Sequence, residues 1–212
     1  MTTPALLTIQ DLRIHAGSTS LVHLPLLELH AGELHGIIGE SGSGKSLTLF
    51  TVLGLISPQL TVTGSVQFQG QELTTLSPKL WQTIRGKAIG MVFQEPMSAL
   101  NPQMRCGKQL LESARIHEPD LNKAQALVDK KLDQLGLSEI KERIMQAYPH
   151  QLSGGQRQRV MIAMACVHEP PLILADEPTT ALDVTIQSQI LALIRELQRE
   201  IGMAVLFITH DM

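Results

Sequence analysis

Eight consecutive residues, Gly39-Glu40-Ser41-Gly42-Ser43-Gly44-Lys45-Ser46, constrain this chain more than any other stretch. Its glycines let the backbone turn where a Cβ would collide, so several N–H groups can converge on one anion. Lys45 adds a point charge, and Ser46 adds a hydroxyl, a hard oxygen of the kind that Mg²⁺ takes as a ligand. The spacing G-x-x-x-x-G-K-[ST] is that of a loop cradling nucleotide phosphates, and Leu47 follows it directly. Before it, Leu34-His35-Gly36-Ile37-Ile38 reads as a short buried strand; after it, Lys45 to Leu55 reads as a helix. The anion then meets a helix N-terminus, where unpaired N–H groups and the macrodipole favour negative charge.

At 212 residues the chain can bury a full core as one large domain or as one domain with an inserted subdomain. It is 43% hydrophobic and 17% charged, the balance of a globular protein. A net charge of −3 leaves no basic footprint, so the reading expects no nucleic-acid partner. The two cysteines, Cys106 and Cys166, lie far apart and read as reduced, incidental thiols. Met1-Thr2-Thr3-Pro4-Ala5 lacks the features of a signal peptide, and no run approaches the ~18 apolar residues of a membrane span. A membrane role is therefore expected to come through a partner.

Leu6 to Ile14 alternates as a strand, Leu21 to Leu29 reads as a second strand or strand pair, and Val62 to Phe68 as a further antiparallel strand. Leu80 to Ile84 is a short helix, and Ile89 to Phe93 is a buried strand ending at Gln94. From Glu95 to about His150 the pattern is helical, with Asn122 as the expected cap of one helix and Gly136 as its stop. Ser153 and Gln156 form a capping-box pattern that opens the next helix. Leu172-Ile173-Leu174-Ala175 has the length of a central parallel strand and runs into Asp176-Glu177. Asp183 or Thr185 opens an amphipathic helix with Ile186, Ile190, Leu193, Ile194, Leu197 and Ile201 on one face, closed by Gly202. Ala204 to Ile208 is the last strand, followed by Thr209-His210-Asp211-Met212.

Strands alternating with helices imply a mainly parallel central sheet, and ligands of such sheets bind beyond the carboxyl ends of the strands. The phosphate loop, Gln94, Asp176-Glu177 and His210 each follow an expected strand, so all four fall on one edge. Asp176 is placed to hold Mg²⁺ opposite Ser46, and Glu177 to deprotonate a water attacking the γ-phosphate. Without the phosphate loop the two acids read first as a turn before Pro178, and, taken alone, Gln94 reads as a solvated strand end and His210 as an ordinary surface histidine. Ser153-Gly154-Gly155-Gln156 makes a second glycine-rich, capped helix start. Since Gly39–Ser46 already cradles one nucleotide, the second start is expected to serve another molecule's nucleotide, or to be a simple capped helix.

At this point the chain resembles the ATP-binding cassette (ABC) ATPases over nearly its whole length. Leu152-Ser153-Gly154-Gly155-Gln156 matches that family's signature, Gly39–Ser46 its Walker A motif, and Leu172–Asp176 with Glu177 its Walker B motif and adjacent base. Ala181-Leu182-Asp183 matches the D-loop, Gln94 the Q-loop and His210 the switch histidine. The resemblance implies an α/β P-loop NTPase fold with an N-terminal antiparallel β region and an inserted helical subdomain. The α/β core would comprise about 1–94 and 168–212, and the subdomain about 95–167. It implies a transport-coupled ATPase that binds ATP and Mg²⁺, with Glu177, His210 and Gln94 catalytic and Ser46, Gln94 and Asp176 at the metal. Nucleotide contacts fall to Gly39, Glu40, Ser41, Gly42, Ser43, Gly44, Lys45, Ser46 and Leu47, with Ser153, Gly154, Gly155 and Gln156 completing a partner's site.

Implied partners are a second ABC ATPase subunit, identical or different, transmembrane permease subunits and, indirectly, a substrate-binding protein. The implied location is peripheral, on the cytoplasmic face of the inner or plasma membrane. Phe93-Gln94-Glu95-Pro96-Met97-Ser98-Ala99-Leu100-Asn101-Pro102 and Tyr148-Pro149-His150-Gln151-Leu152 are similar to the dipeptide, oligopeptide and nickel importer branch. Two departures stand out. The family stacks an aromatic on adenine just after the first strand, where this chain has Ala16 beside His15. Relatives also continue well past the switch histidine, whereas this sequence stops two residues after His210, so a loosely held His210 and weakened hydrolysis are expected. Two other readings stay open: a soluble ABC ATPase acting on nucleic acid or ribosomes, and a truncated regulatory cassette that binds ATP without hydrolysing it.

Overall fold

A computed structural model describes residues 4–40, 42–180 and 182–209. Strand β1 (Leu7–Ala16) buries Leu7, Ile9, Leu12 and Ile14 completely, and a positive φ at Asp11 accompanies the step between Ile9 and Leu12. It sits at the centre of an antiparallel sheet ordered β2-β1-β4-β5, with β2 (Thr19–Leu29), β4 (Thr61–Phe68) and β5 (Gln71–Glu72). The second sheet is wholly parallel and runs β3-β8-β7-β6, from β3 (Leu34–Ile38), β6 (Ile89–Val92), β7 (Leu172–Asp176) and β8 (Ala204–Thr209).

Period-two alternation along β7 and β8 divides the core. Leu172 and Leu174, with Ala204, Leu206 and Ile208, join the cluster shared with β1, β4 and α1 (Lys45–Val52). Ile173, Ala175 and Val205 face the opposite cluster, built from the helices. Helix α1 thus lies between the two sheets, with Leu49 and Val52 in the first cluster. Burial on both faces is what a parallel sheet requires, and it explains the unbroken apolar run at Leu172–Ala175. Between β6 and β7 the described chain is helical: α3 (Pro96–Ala99), α4 (Cys106–Arg115), α5 (Leu121–Gln134), α6 (Lys141–Gln146) and α7 (Gly154–Cys166). Helix α2 (Pro78–Ile84) precedes β6, and α8 (Val184–Ile201) joins β7 to β8.

The local expectations largely hold, with three corrections. Helix α1 stops at Val52 rather than Leu55, because Gly54 takes φ 61 against the Trp81 ring and turns the chain away. The cap of α5 is Asp120, not Asn122: the Asp120 carboxylate accepts from the N–H groups of Asn122 (2.9 Å) and Lys123 (3.0 Å). Strand β3 is not fully buried; Gly36 and Ile38 are exposed, since among the described residues β3 pairs only with β8 and ends the sheet. Asp183, of the two candidates, caps α8 through the Ile186 N–H (3.0 Å), and Gly202 closes it at φ 73. Both cysteines are buried and free, and burial pushes their thiols up, to about 11 at Cys106 and about 12 at Cys166.

Candidate functional site

The register of the parallel sheet sets the site. Ile38 pairs with Thr209, Asp176 with Ile208 and Val92 with Ala175, so these strands end together and the residues after them share one edge. Three of the four expected polar features are brought there: the phosphate loop, Gln94 and Asp176-Glu177. The fourth, His210, lies outside the described residues, as do Ser41 and the Ala181 of the D-loop.

Gly44 caps α1 with φ 87, and a Cβ there would stand 2.3 Å from Val22 Cγ2 and 2.8 Å from the Leu21 carbonyl oxygen. The loop is pressed against β2, and only glycine fits both the dihedral and the space. Lys45, 8% exposed, curls over the loop and donates to the carbonyl oxygens of Gly39 (2.7 Å) and Glu40 (2.7 Å). Its ammonium is thus held by neutral acceptors and is available to an anion. The Ser46 hydroxyl donates to Asp176 Oδ1 at 2.9 Å, joining the start of α1 to the end of β7. Burial pushes the Asp176 carboxyl above its ordinary range, and the neighbouring charge of Glu177 adds to this. The Ser46 hydrogen bond and the Lys45 charge act in the other direction. A desolvated carboxylate beside a second acid is stabilised by an incoming cation.

Gln94, just past β6, donates its side-chain amide to Glu177 Oε2 at 2.8 Å. The Thr180 hydroxyl donates to the same oxygen at 3.0 Å. Gly42, Gly44, Lys45, Ser46, Leu47, Gln94, Glu177 and Thr180 line one cleft of about 570 Å³, in the range of small-molecule sites. Sequence reasoning missed Thr180. No local signal marks it, because its hydroxyl meets Glu177 only once the turn over Pro178 has folded.

The second glycine-rich start folds as expected. Ser153 Oγ accepts from the Gln156 N–H (3.3 Å), and Gln156 Oε1 accepts from the Ser153 N–H (3.0 Å), the full capping box. A Cβ on Gly154 would stand 3.2 Å from Leu182 Cδ2, and one on Gly155 would stand 3.1 Å from Ile186 Cγ2, so α7 begins close against the start of α8. Ser153, Gly155 and Gln156 border a separate cleft with Arg159, Ile186 and Gln189, which shares no lining residue with the phosphate-loop cleft. Ala16 is exposed at the end of β1, opposite Thr19, and neither it nor His15 lines the phosphate-loop cleft.

The model of the ABC transporter family matches residues 25–180, a span that runs from β2 through the phosphate loop, the capping box and Glu177 to Thr180. The chain belongs to the ABC transporter family. The oligopeptide transport ATP-binding protein OppD of Salmonella typhimurium is 46% identical over 213 residues, 98% of this chain and 63% of that protein. OppD of Bacillus subtilis is 44% identical over 98% of this chain and 60% of its own length. The dipeptide transport ATP-binding protein DppD of Lactococcus lactis subsp. cremoris is 43% identical over 93% of this chain and 57% of its own. This ABC chain therefore spans less than two thirds of the length of these relatives. Among solved structures, CbiO1 of Clostridium perfringens, described as part of the ABC transporter complex cbiONQ, superposes with a TM-score of 0.83 at 28% identity. That match covers 98% of this chain and 79% of that one.

Proposed function

We propose that the chain is the ATP-hydrolysing part of an ABC importer that takes up peptides. The observation carrying this reading is the meeting, at one sheet edge, of Lys45, the Ser46–Asp176 pair and Glu177 with the Gln94 and Thr180 side chains. Lys45 and the loop N–H groups bind the phosphates of ATP. Ser46 and Asp176, two hard oxygen donors lying 2.9 Å apart, fit Mg²⁺, and Gln94, which lines the same cleft as Ser46, is assigned to it as well. Bound there, Mg²⁺ would supply charge neutralisation on the phosphate oxygens. Glu177 is the base that takes a proton from the attacking water, and the γ-phosphate role expected of His210 falls outside the described residues.

The separate cleft at Ser153 and Gly155 supports a role toward another cassette's nucleotide, so the working unit is a pair of cassettes, identical or different. No described helix is long and apolar enough to cross a membrane, and a membrane subunit enters as partner. Phe93, Ile116, Met164, His117 and His168 border an apolar cavity of about 240 Å³, room for one or two apolar side chains reaching in from such a subunit. Residues from about 95 to 167 then form the helical subdomain that passes the motion on. Peptide cargo is favoured over nickel because the relatives named above are peptide transport proteins.

The test is ATP turnover by the complete protein with and without candidate peptide-permease subunits, followed by uptake of labelled peptide and of Ni²⁺ in vesicles. Permease-stimulated turnover with peptide uptake is expected. Turnover unaffected by any permease, or uptake of Ni²⁺ alone, overturns the importer or the cargo assignment respectively.

A further inference from the structure

Glu177 occupies an unusual place on the chain. Its φ of 43 is left-handed, which a non-glycine residue holds only where its surroundings over-determine it. The surroundings here are specific. The Glu177 N–H donates to the Ile208 carbonyl (3.2 Å), and the Thr180 N–H donates back to the Glu177 carbonyl (3.3 Å), closing a turn over Pro178. Gln158, 1% exposed on α7, donates its amide to the Pro178 carbonyl, and Gln187 on α8 donates to the carbonyls of Thr179 and Leu182, each at 3.1 Å. The backbone of the turn is gripped from β8, α7 and α8.

Backbone grip does not settle the carboxylate, because the last torsion of a glutamate is broad and roughly two-fold. Among the described residues, two donors converge on Oε2 and help to hold it: the Gln94 amide at 2.8 Å and the Thr180 hydroxyl at 3.0 Å. The two donors differ in origin. Gln94 belongs to another strand end, and its amide is needed at the metal and the nucleotide when they bind. Thr180 belongs to the same turn as Glu177, three residues on, and moves with it. Its side chain is otherwise exposed and takes no part in the core.

We propose that Thr180 is a positioning residue for the reaction, whose hydroxyl keeps the Glu177 carboxylate oriented when the Gln94 amide is drawn away to the ligand. This role rests on Glu177 acting as the base. A hydrogen bond to a charged group of this kind is worth about one order of magnitude in rate when it acts at the transition state.

The experiment compares Thr180→Val, which keeps the shape and removes the donor, with Thr180→Ser, which keeps the donor. In the complete protein, Thr180→Val is expected to lower kcat about tenfold with KM and the nucleotide Kd unchanged, and Thr180→Ser to stay within about twofold of wild type. In a Glu177→Gln background, Thr180→Val is expected to cause no further loss. Wild-type kcat in Thr180→Val, failure of Thr180→Ser to restore it, or a weakened Kd in step with kcat overturns the role. A second readout needs no turnover: the side-chain amide resonance of Gln94 in a ¹⁵N–¹H spectrum. It should move in Thr180→Val and return in Thr180→Ser; an unmoved resonance overturns the clasp. Absence of turnover in wild type refutes the hydrolytic reading of Glu177 and with it Thr180's part in a reaction, while the Gln94 resonance still decides whether Thr180 holds the carboxylate.

Discussion

At the scale of single residues, Gly44 is where sequence and geometry bind most tightly. A methyl group there meets Val22 Cγ2 at 2.3 Å and would have to live at φ 87. Gly44→Ala is expected to lose about 1–2 kcal/mol from the left-handed dihedral alone and to deform the loop. In thermal melts, MgATP should raise the Tm of wild type and leave that of the variant unmoved. Ala16 carries a prediction of the opposite sign. Its exposed place at the end of β1 leaves room for an aromatic ring, and stacking on adenine is worth on the order of 1–3 kcal/mol. Ala16→Tyr is expected to tighten ATP binding about tenfold by calorimetry, and an unchanged Kd removes Ala16 from the adenine side. Most of the residues that line the phosphate-loop cleft were legible because strand ends and a glycine-rich loop each have a local cause. Thr180 was not singled out, since a lone threonine gains meaning only when the turn folds it back onto Glu177.

At the scale of elements, the helices between β6 and β7 are tied to the core by a charged contact. Lys131 on α5 is 1% exposed, and its ammonium reaches Gln134 (2.7 Å) and Glu169 (3.3 Å); Lys130 reaches the same Glu169 oxygen at 2.7 Å. The Lys130 hydrogen bond, with the Lys131 charge behind it, holds the Glu169 carboxyl below its ordinary 4.5 despite opposing burial. Removing Glu169 leaves the buried Lys131 ammonium with the neutral Gln134 oxygen but no counter-charge at this contact, so Glu169→Ala is expected to lose about 3 kcal/mol, the low end for such a pair because Glu169 is 35% exposed and Gln134 remains. The sign with pH follows from the lowered value: the contribution is present above 4.5 and fades as pH falls through the folded-state pKa. Urea midpoints of wild type and Glu169→Gln should therefore differ near neutral pH and converge in acid. This contact was invisible in the sequence, because Glu169 lies nearly forty residues beyond Lys130 and Lys131 and shares no periodicity with them. The elements themselves were readable, since the alternation in β1 and β7 and the apolar stripe of α8 are local records of which face is buried. Strand β3 misled for a complementary reason: its composition is apolar, but exposure depends on which strands flank it.

At the scale of the whole molecule, a parallel sheet delivers chain ends from β3, β6 and β7 to one edge, and α1 is held between two sheets beneath it. That arrangement turns scattered polar residues into one cleft holding Lys45, Ser46, Gln94 and Glu177. The family match and the OppD and CbiO1 likenesses agree with this architecture. Ser153 and Gly155 stand on another cleft, the observation on which the proposed pairing of two cassettes rests. The central claim is that this edge hydrolyses ATP with Glu177 as base, and phosphate release from MgATP by wild type and Glu177→Gln tests it most directly. The account predicts that both bind MgATP with similar Kd and that the variant turns over at least about 100-fold more slowly. Equal turnover in the two proteins contradicts it.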